Sequence, residues 1–194
     1  MQDEQSLIER AKQRDPVALT QIYEENFDRI YRYIALKIGD RTEAEDLTQQ
    51  VFLNALQSIG GYKSKGLPLT SWLYRIAHNQ IVDHLRKVTR KPALPLDESL
   101  PIPDPAGDTS NEIEMKLEME QVAVAAKQLT KAQQEVISLR FASELSITEV
   151  SQVMGKSEGA IKALQHSAIA ALRKILSPDI TRHYGVTASP GGDE

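Results

Sequence analysis

VMGKSEGAIKALQHSAIAALRK, from Val153 to Lys174, begins and ends as apolar helix and is cut by Gly155-Lys156-Ser157. Just upstream, Ser146-Ile147-Thr148-Glu149 has the S/T-x-x-E form in which side chains and backbone N–H groups satisfy each other at a helix start. It opens a short helix through Met154, with Ile147, Val150, Val153 and Met154 apolar. Gly155 can take the left-handed conformation that closes a helix, and Ser157 can cap the next one. Short helix, glycine turn and capped longer helix is the layout of a helix-turn-helix, although the same pattern also builds a plain corner in a helical bundle. On a helical wheel Ile161, Leu164, Ala168, Leu172 and Ile175 share one face and are expected to pack inward. The opposite face presents Gly159, Lys162, Ala163, His166, Ala170 and Arg173, which are small or able to touch phosphates and base edges. Its low charge means that non-specific phosphate attraction must come largely from elsewhere in the chain.

A source exists. From Lys63 to Lys91 there are seven Lys/Arg against one acid, a surplus of +6, whereas Pro92 to Glu120 carries eight acids against one Lys, or −7. A basic block beside an acidic one suggests one surface meant for an anion and another that mimics or avoids it. The net charge of −4 over 194 residues hides this division.

The remaining sequence reads as helix, with no hairpin signal. Helices are expected over Ser6–Arg14, Val17–Ile38, Thr42–Ile59 and Thr70–Arg90. Asp15-Pro16, Gly39-Asp40 and Gly60-Gly61 separate them. Thr42-Glu43-Ala44-Glu45 offers a second capping box. KPALPLDESLPIPDPAGDTSN, from Lys91 to Asn111, has five prolines and no helical period, so it reads as an extended or disordered linker. Beyond it, one helix is expected from Glu112 to Leu129 and another from Lys131 to Phe141. The fold expected is all-α, two small helical domains joined by a Pro-rich acidic linker: residues 1–91, linker 92–111, residues 112–176, and a disordered tail 177–194. Each domain is expected to have its own interior.

Composition bounds the function. The chain lacks cysteine, which excludes disulfides, thiolate metal sites and Cys nucleophiles. No apolar run approaches the ~20 residues of a membrane span, and MQDEQSLIERAKQRD lacks the apolar core of a signal peptide. A cytoplasmic protein without membrane insertion is expected. His78 and His84 are not spaced for a metal on one face, and neither a phosphate-cradling glycine loop nor G-x-S-x-G is present. No catalytic residue, metal or cofactor is assigned, and the chain is not expected to be an enzyme.

Three stretches, AEDLTQQVFLNAL, TSWLYRIAHNQIVDHLRK and LTKAQQEVISLRFASELSITEVSQVMGKSEGAIKALQHSAIAALRK, closely resemble bacterial RNA polymerase sigma factors of the extracytoplasmic-function type. They stand in family order, with the linker in the expected place. The resemblance implies region 2 in the first domain and region 4 in the second. It implies a transcription initiation factor that binds core RNA polymerase and directs it to promoters, melting and capturing the −10 element and reading the −35 element. Asp46, Gln49, Gln50 and Leu53 would then face the β′ clamp helices, with Gln50 standing where the family usually has Glu. The β flap would be a second polymerase contact, promoter DNA a partner, and an anti-sigma factor a typical one. By the same resemblance Lys63, Lys65, Trp72, Arg75, His78, Asn79, Asp83, Arg86, Lys87 and Arg90 would serve the −10 strand, whose exposed bases suit aromatics and whose phosphates suit Lys and Arg. A lone Trp72 beside Leu73 reads as core more readily than as a stacking platform, and Tyr74 is equally ambiguous. Ser157, Glu158, Lys162, Ala163, Gln165, His166 and Arg173 would serve the −35 duplex. Leu164, Ser167, Ile169 and Ala170 stand where many members are basic. Asp97, Glu98, Asp104 and Asp108 make the linker either a mimic of nucleic acid or a solvated tether. The rival reading is a stand-alone helix-turn-helix regulator. The region-2-like half discriminates, since such a regulator has no use for a strand-capturing loop or a polymerase-docking helix.

Overall fold

The computed structural model describes residues 2–64, 66–90, 121–122 and 124–183, and every regular element among them is helical. The elements are α1 (Gln2–Lys12), α2 (Pro16–Ile38), α3 (Arg41–Ser58) running into a 3-10 turn (Ile59–Gly61), α4 (Leu69–Arg90), α5 (Lys131–Ile137) running into a π turn (Ser138–Ala142), α6 (Ile147–Met154) and α7 (Glu158–His183). The expected linker 92–111, the expected helix start at Glu112 and residues 184–194 lie outside the described residues.

The boundaries follow from local chemistry. Pro16 sits in the first turn of α2, where its missing N–H costs nothing, and the Asp15 carboxylate accepts the Val17 N–H at 3.0 Å. Gly39 closes α2 at φ 78°. Asp40, not Thr42, caps α3: its carboxylate accepts the Glu43 N–H at 2.8 Å. A carboxylate one step upstream also suits the positive end of the helix, and Thr42 is left inside the first turn. The Glu4 carboxylate of α1 accepts the Leu69 N–H at 2.7 Å and so ties the two ends of the first bundle together. Ile22, Ile30 and Ile34 of α2 are buried with Val51, Phe52 and Ala55 of α3 and Leu73, Ala77 and Ile81 of α4.

In the second half Thr130 and Gln133 form a reciprocal capping box that the sequence reading passes over. The helix expected to run to Phe141 widens at Ser138, where the Ser143 N–H donates to the Ser138 carbonyl at 3.0 Å. Ser146 and Glu149 form the expected box, with the Ser146 N–H on the Glu149 carboxylate at 2.7 Å. Gly155 takes φ 63°, ψ 34°, and the Ser157 hydroxyl accepts the Ala160 N–H at 3.3 Å. α7 continues to His183, beyond the expected end at 176, with Pro178 inside it.

The two halves do not keep separate interiors. α4 lies against α6, and α2 touches the π turn. The buried apolar residues of the first bundle and Val136, Leu139, Leu145, Val150, Val153 and Ile161 of the second form one continuous cluster. At the seam the rings of Tyr33 and Tyr74, both buried, meet edge to face at 5.3 Å. The expectation of two separately packed modules is corrected here: α4 and α6 pack on each other and share one buried cluster.

Candidate nucleic-acid and polymerase interfaces

The outward face of α7 is as the wheel places it. Ile161 and Ala168 are buried and Leu164, Leu172 and Ile175 half-buried, while Gly159, Lys162, Ala163, His166, Ala170 and Arg173 are exposed. Leu164 packs against the core, so it stands on the inner side of the helix rather than on a face that has lost an Arg. The exposed Ser167 hydroxyl takes the Gln133 amide at 3.0 Å and links α7 to α5. Three of the expected contact residues have partners already, Ser157 among them. Gln165 accepts the Arg140 guanidinium at 3.0 Å, and Glu158 accepts the Thr148 hydroxyl at 2.7 Å. Ser157 is spent on its cap. Lys162, Ala163 and His166 remain as an uninterrupted solvent-facing strip.

On α3 the residues Asp46, Gln49, Gln50 and Leu53 recur at i, i+3, i+4 and i+7 and share one exposed face. Leu53 is 51% exposed, an apolar residue left in water among polar neighbours. Thr48, on the opposite side, is buried, and its hydroxyl donates to the Ala44 carbonyl at 2.7 Å.

The basic face is built from the loop after the 3-10 turn and from α4. Lys63, Arg75, Asn79, Asp83, Arg86 and Lys87 are exposed. Lys65 and the Arg90 side chain lie outside the described residues. Trp72 is neither core nor free platform: it is half-buried, its ring 4.9 Å from that of Tyr62. Tyr74 is core, at 1% exposure. Burial pushes its hydroxyl pKa up, and a hydrogen bond with Ser143 of the second half opposes the shift. Trp72 and Arg75 line a cleft together with Lys63, Tyr62 and Gln152 of α6, so the second half closes one wall of it. The Ser71 hydroxyl donates to the Glu149 carboxylate of α6 at 2.8 Å.

His78, expected as a DNA contact, is turned toward the second half and largely withdrawn from solvent. Its Nδ1 lies 3.1 Å from a carboxylate oxygen of Glu135 in α5, which also accepts the Tyr33 hydroxyl. The other oxygen of Glu135 takes the Lys37 ammonium at 2.9 Å. The side chains of Lys37, Glu135 and His78 are 16%, 12% and 19% exposed. Burial pushes the Glu135 carboxyl up, but the His78 bond, the Lys37 charge and the Tyr33 bond outweigh it and hold the group down at about 2. The Tyr33 hydroxyl is pushed well above its ordinary range by burial and by the adjacent carboxylate. Tyr33, Lys37, Glu135 and Glu149 are site residues the sequence reading does not single out. One signal was present: Glu135 is an acid inside the apolar stripe of Ala132, Val136 and Leu139.

The Sigma-70 region 2 family model matches residues 22–91 and the Sigma-70 region 4 model residues 125–174. The ECF RNA polymerase sigma factor BldN of Streptomyces coelicolor is 35% identical over 89% of this chain and 66% of its own length. The ECF RNA polymerase sigma factor ShbA of Streptomyces griseus is 30% identical, over 88% of this chain and 93% of its own. Among solved structures, the sigma factor RpoE in complex with the anti-sigma factor NepR from Bartonella quintana matches at a TM-score of 0.66 and 21% identity. That match covers 82% of this chain and 97% of that one, and it speaks to the fold alone.

Proposed function

The chain belongs to the extracytoplasmic-function RNA polymerase sigma factors, and from that premise we propose how its surfaces divide the work. It is a transcription initiation factor that directs RNA polymerase to promoters, and it has no catalytic role of its own. Core polymerase and promoter DNA are its partners. The α3 strip of Asp46, Gln49, Gln50 and Leu53 docks the β′ clamp helices, and the second half meets the β flap. Lys63, Trp72, Arg75, Asn79, Arg86 and Lys87 hold the melted −10 strand, the cations on its phosphates and Trp72 beside a base. Lys162, Ala163 and His166 read the −35 duplex from the major groove. An anti-sigma factor is a further partner, as the family resemblance implies. The work takes place in the cytoplasm with the polymerase, and among the described residues no helix is long and apolar enough to cross a membrane.

The observation that carries this division is that exposed strips on α3, α4 and α7 fall within the three motif stretches, while the opposite faces of those helices, with Thr48, Leu73, Ala77 and Ile161, are buried. Footprinting of the chain with core polymerase on a cognate promoter tests it. Protection is expected around both −10 and −35, and protection of −35 alone by the chain without polymerase would favour a stand-alone regulator.

A further inference from the structure

Three polar groups of the first bundle converge on one point. The Lys37 ammonium comes from the last turn of α2, the Tyr33 hydroxyl from one turn earlier, and the His78 imidazole from α4. All three meet the two oxygens of a single carboxylate, and that carboxylate belongs to the other bundle. Without Glu135 they form a half-closed cradle of donors, held by the edge-to-face packing of Tyr33 on Tyr74. Such a set suits any anion that presents two oxygens, and a nucleic-acid phosphodiester is one. One of the three, His78, lies on the helix whose exposed side carries Asn79, Arg86 and Lys87. The closure that fills it also brings Glu149 onto Ser71 and Gln152 beside Trp72 and Arg75.

We propose that Tyr33, Lys37 and His78 form an anion pocket that holds the Glu135 carboxylate in the free chain and a backbone phosphate of the promoter strand in the engaged one, so that the closed chain withholds this one phosphate site, beside an otherwise exposed −10 surface, until its halves part. The proposal rests on the sigma-factor reading. A carboxylate and a phosphodiester each bring one negative charge, so the pocket stays neutralised in both states. Binding of strand and closure of the halves are then mutually exclusive, and the affinity of the free chain for single-stranded DNA is reduced by the fraction that is closed.

The test uses the full-length chain and a fluorescent single-stranded DNA 15-mer of mixed sequence, with binding followed by anisotropy at several salt concentrations. Glu135→Gln is expected to bind about ten-fold tighter than the native chain. Lys37→Met in that background is expected to abolish the gain and to lower the slope of log K against log salt by ~0.7, the value for one phosphate contact on a single strand. Glu135→Asp, which keeps the charge on a shorter stem, is expected to show a smaller gain in the same direction and serves if Glu135→Gln fails to fold. No gain in either variant, or a salt slope unmoved by Lys37→Met, overturns the pocket. The sigma-factor reading fails separately, if the native chain gives no promoter-dependent transcription with core polymerase.

Discussion

The Lys37 ammonium and the Glu135 carboxylate meet at 2.9 Å, each from a different half of the chain and each largely withdrawn from water. In a rigid core, removing one partner of such a pair costs ~3–5 kcal/mol, because the other charge is stranded. With the halves parting as proposed, the released group returns to solvent. Loss of the pair is therefore expected to open the chain rather than unfold either bundle.

The pair sets a pH dependence whose sign follows from Glu135. Its carboxyl is lowered from 4.5 to about 2 in the folded chain. A lowered carboxyl contributes stability that is complete above its unfolded value and is lost as pH falls through the folded one, here on the order of 3 kcal/mol. The chain has no cysteine, so dyes on Gln57→Cys and Lys174→Cys can report the distance between halves. Energy transfer is expected to stay constant from about pH 8 to about pH 5 and to fall only in stronger acid. A fall between about pH 8 and pH 6 would assign closure to some other group.

Gly155 tests the turn before the reading helix. A Cβ there meets nothing within 4 Å, so the cost of substitution lies in the backbone at φ +63°. Gly155→Ala should lower stability by ~1–2 kcal/mol, and Gly155→Asn by less, since Asn tolerates the left-handed region. Ser146→Ala, which removes half of the reciprocal cap, should cost ~1 kcal/mol. Thermal melts of the three variants give the ranking, and equal losses for Ala and Asn at position 155 would contradict it.

How much of this was legible beforehand depended on distance along the chain. The faces of α7 were readable because a 3.6-residue period is a local property, and Gly155 was readable because its chemistry acts on its immediate neighbours. The Asp40 cap was misplaced by two residues, since Asp40 and Thr42 are both capping types and only the backbone decides between them. His78 was assigned outward because its partner, 57 residues away, leaves no mark near it. The shared interior was hidden for the same reason. An apolar residue on α4 or α6 looks identical in sequence whether its own bundle or the other buries it. The common interior leaves the functional reading standing. The family assignment rests on motif stretches and relatives, and their exposed strips survive in the closed arrangement.

Docking on the polymerase should be separable from folding. Asp46 and Leu53 are exposed, so Asp46→Arg and Leu53→Asp are expected to change stability by no more than ~0.5 kcal/mol. Both should weaken association with core polymerase, which native gel titration measures. Undiminished assembly in both variants would remove α3 as the docking strip.

The −35 strip makes a complementary prediction. Lys162→Ala and His166→Ala should each weaken −35 recognition by about 1–3 kcal/mol while polymerase binding stays intact. With so few cations on α7, isolated −35 duplex should bind the free chain no tighter than ~1 µM at physiological salt, within the non-specific range. Equal loss of both activities in either variant would indicate damage to the bundle instead.

The most direct measurement of the whole account is run-off transcription on fragmented host DNA with purified core polymerase, with and without this chain. New RNA starts that appear only when the chain is added, and that share a pair of upstream sequence elements, are the predicted result. Starts that do not depend on the chain, or starts with no common upstream elements, would contradict it.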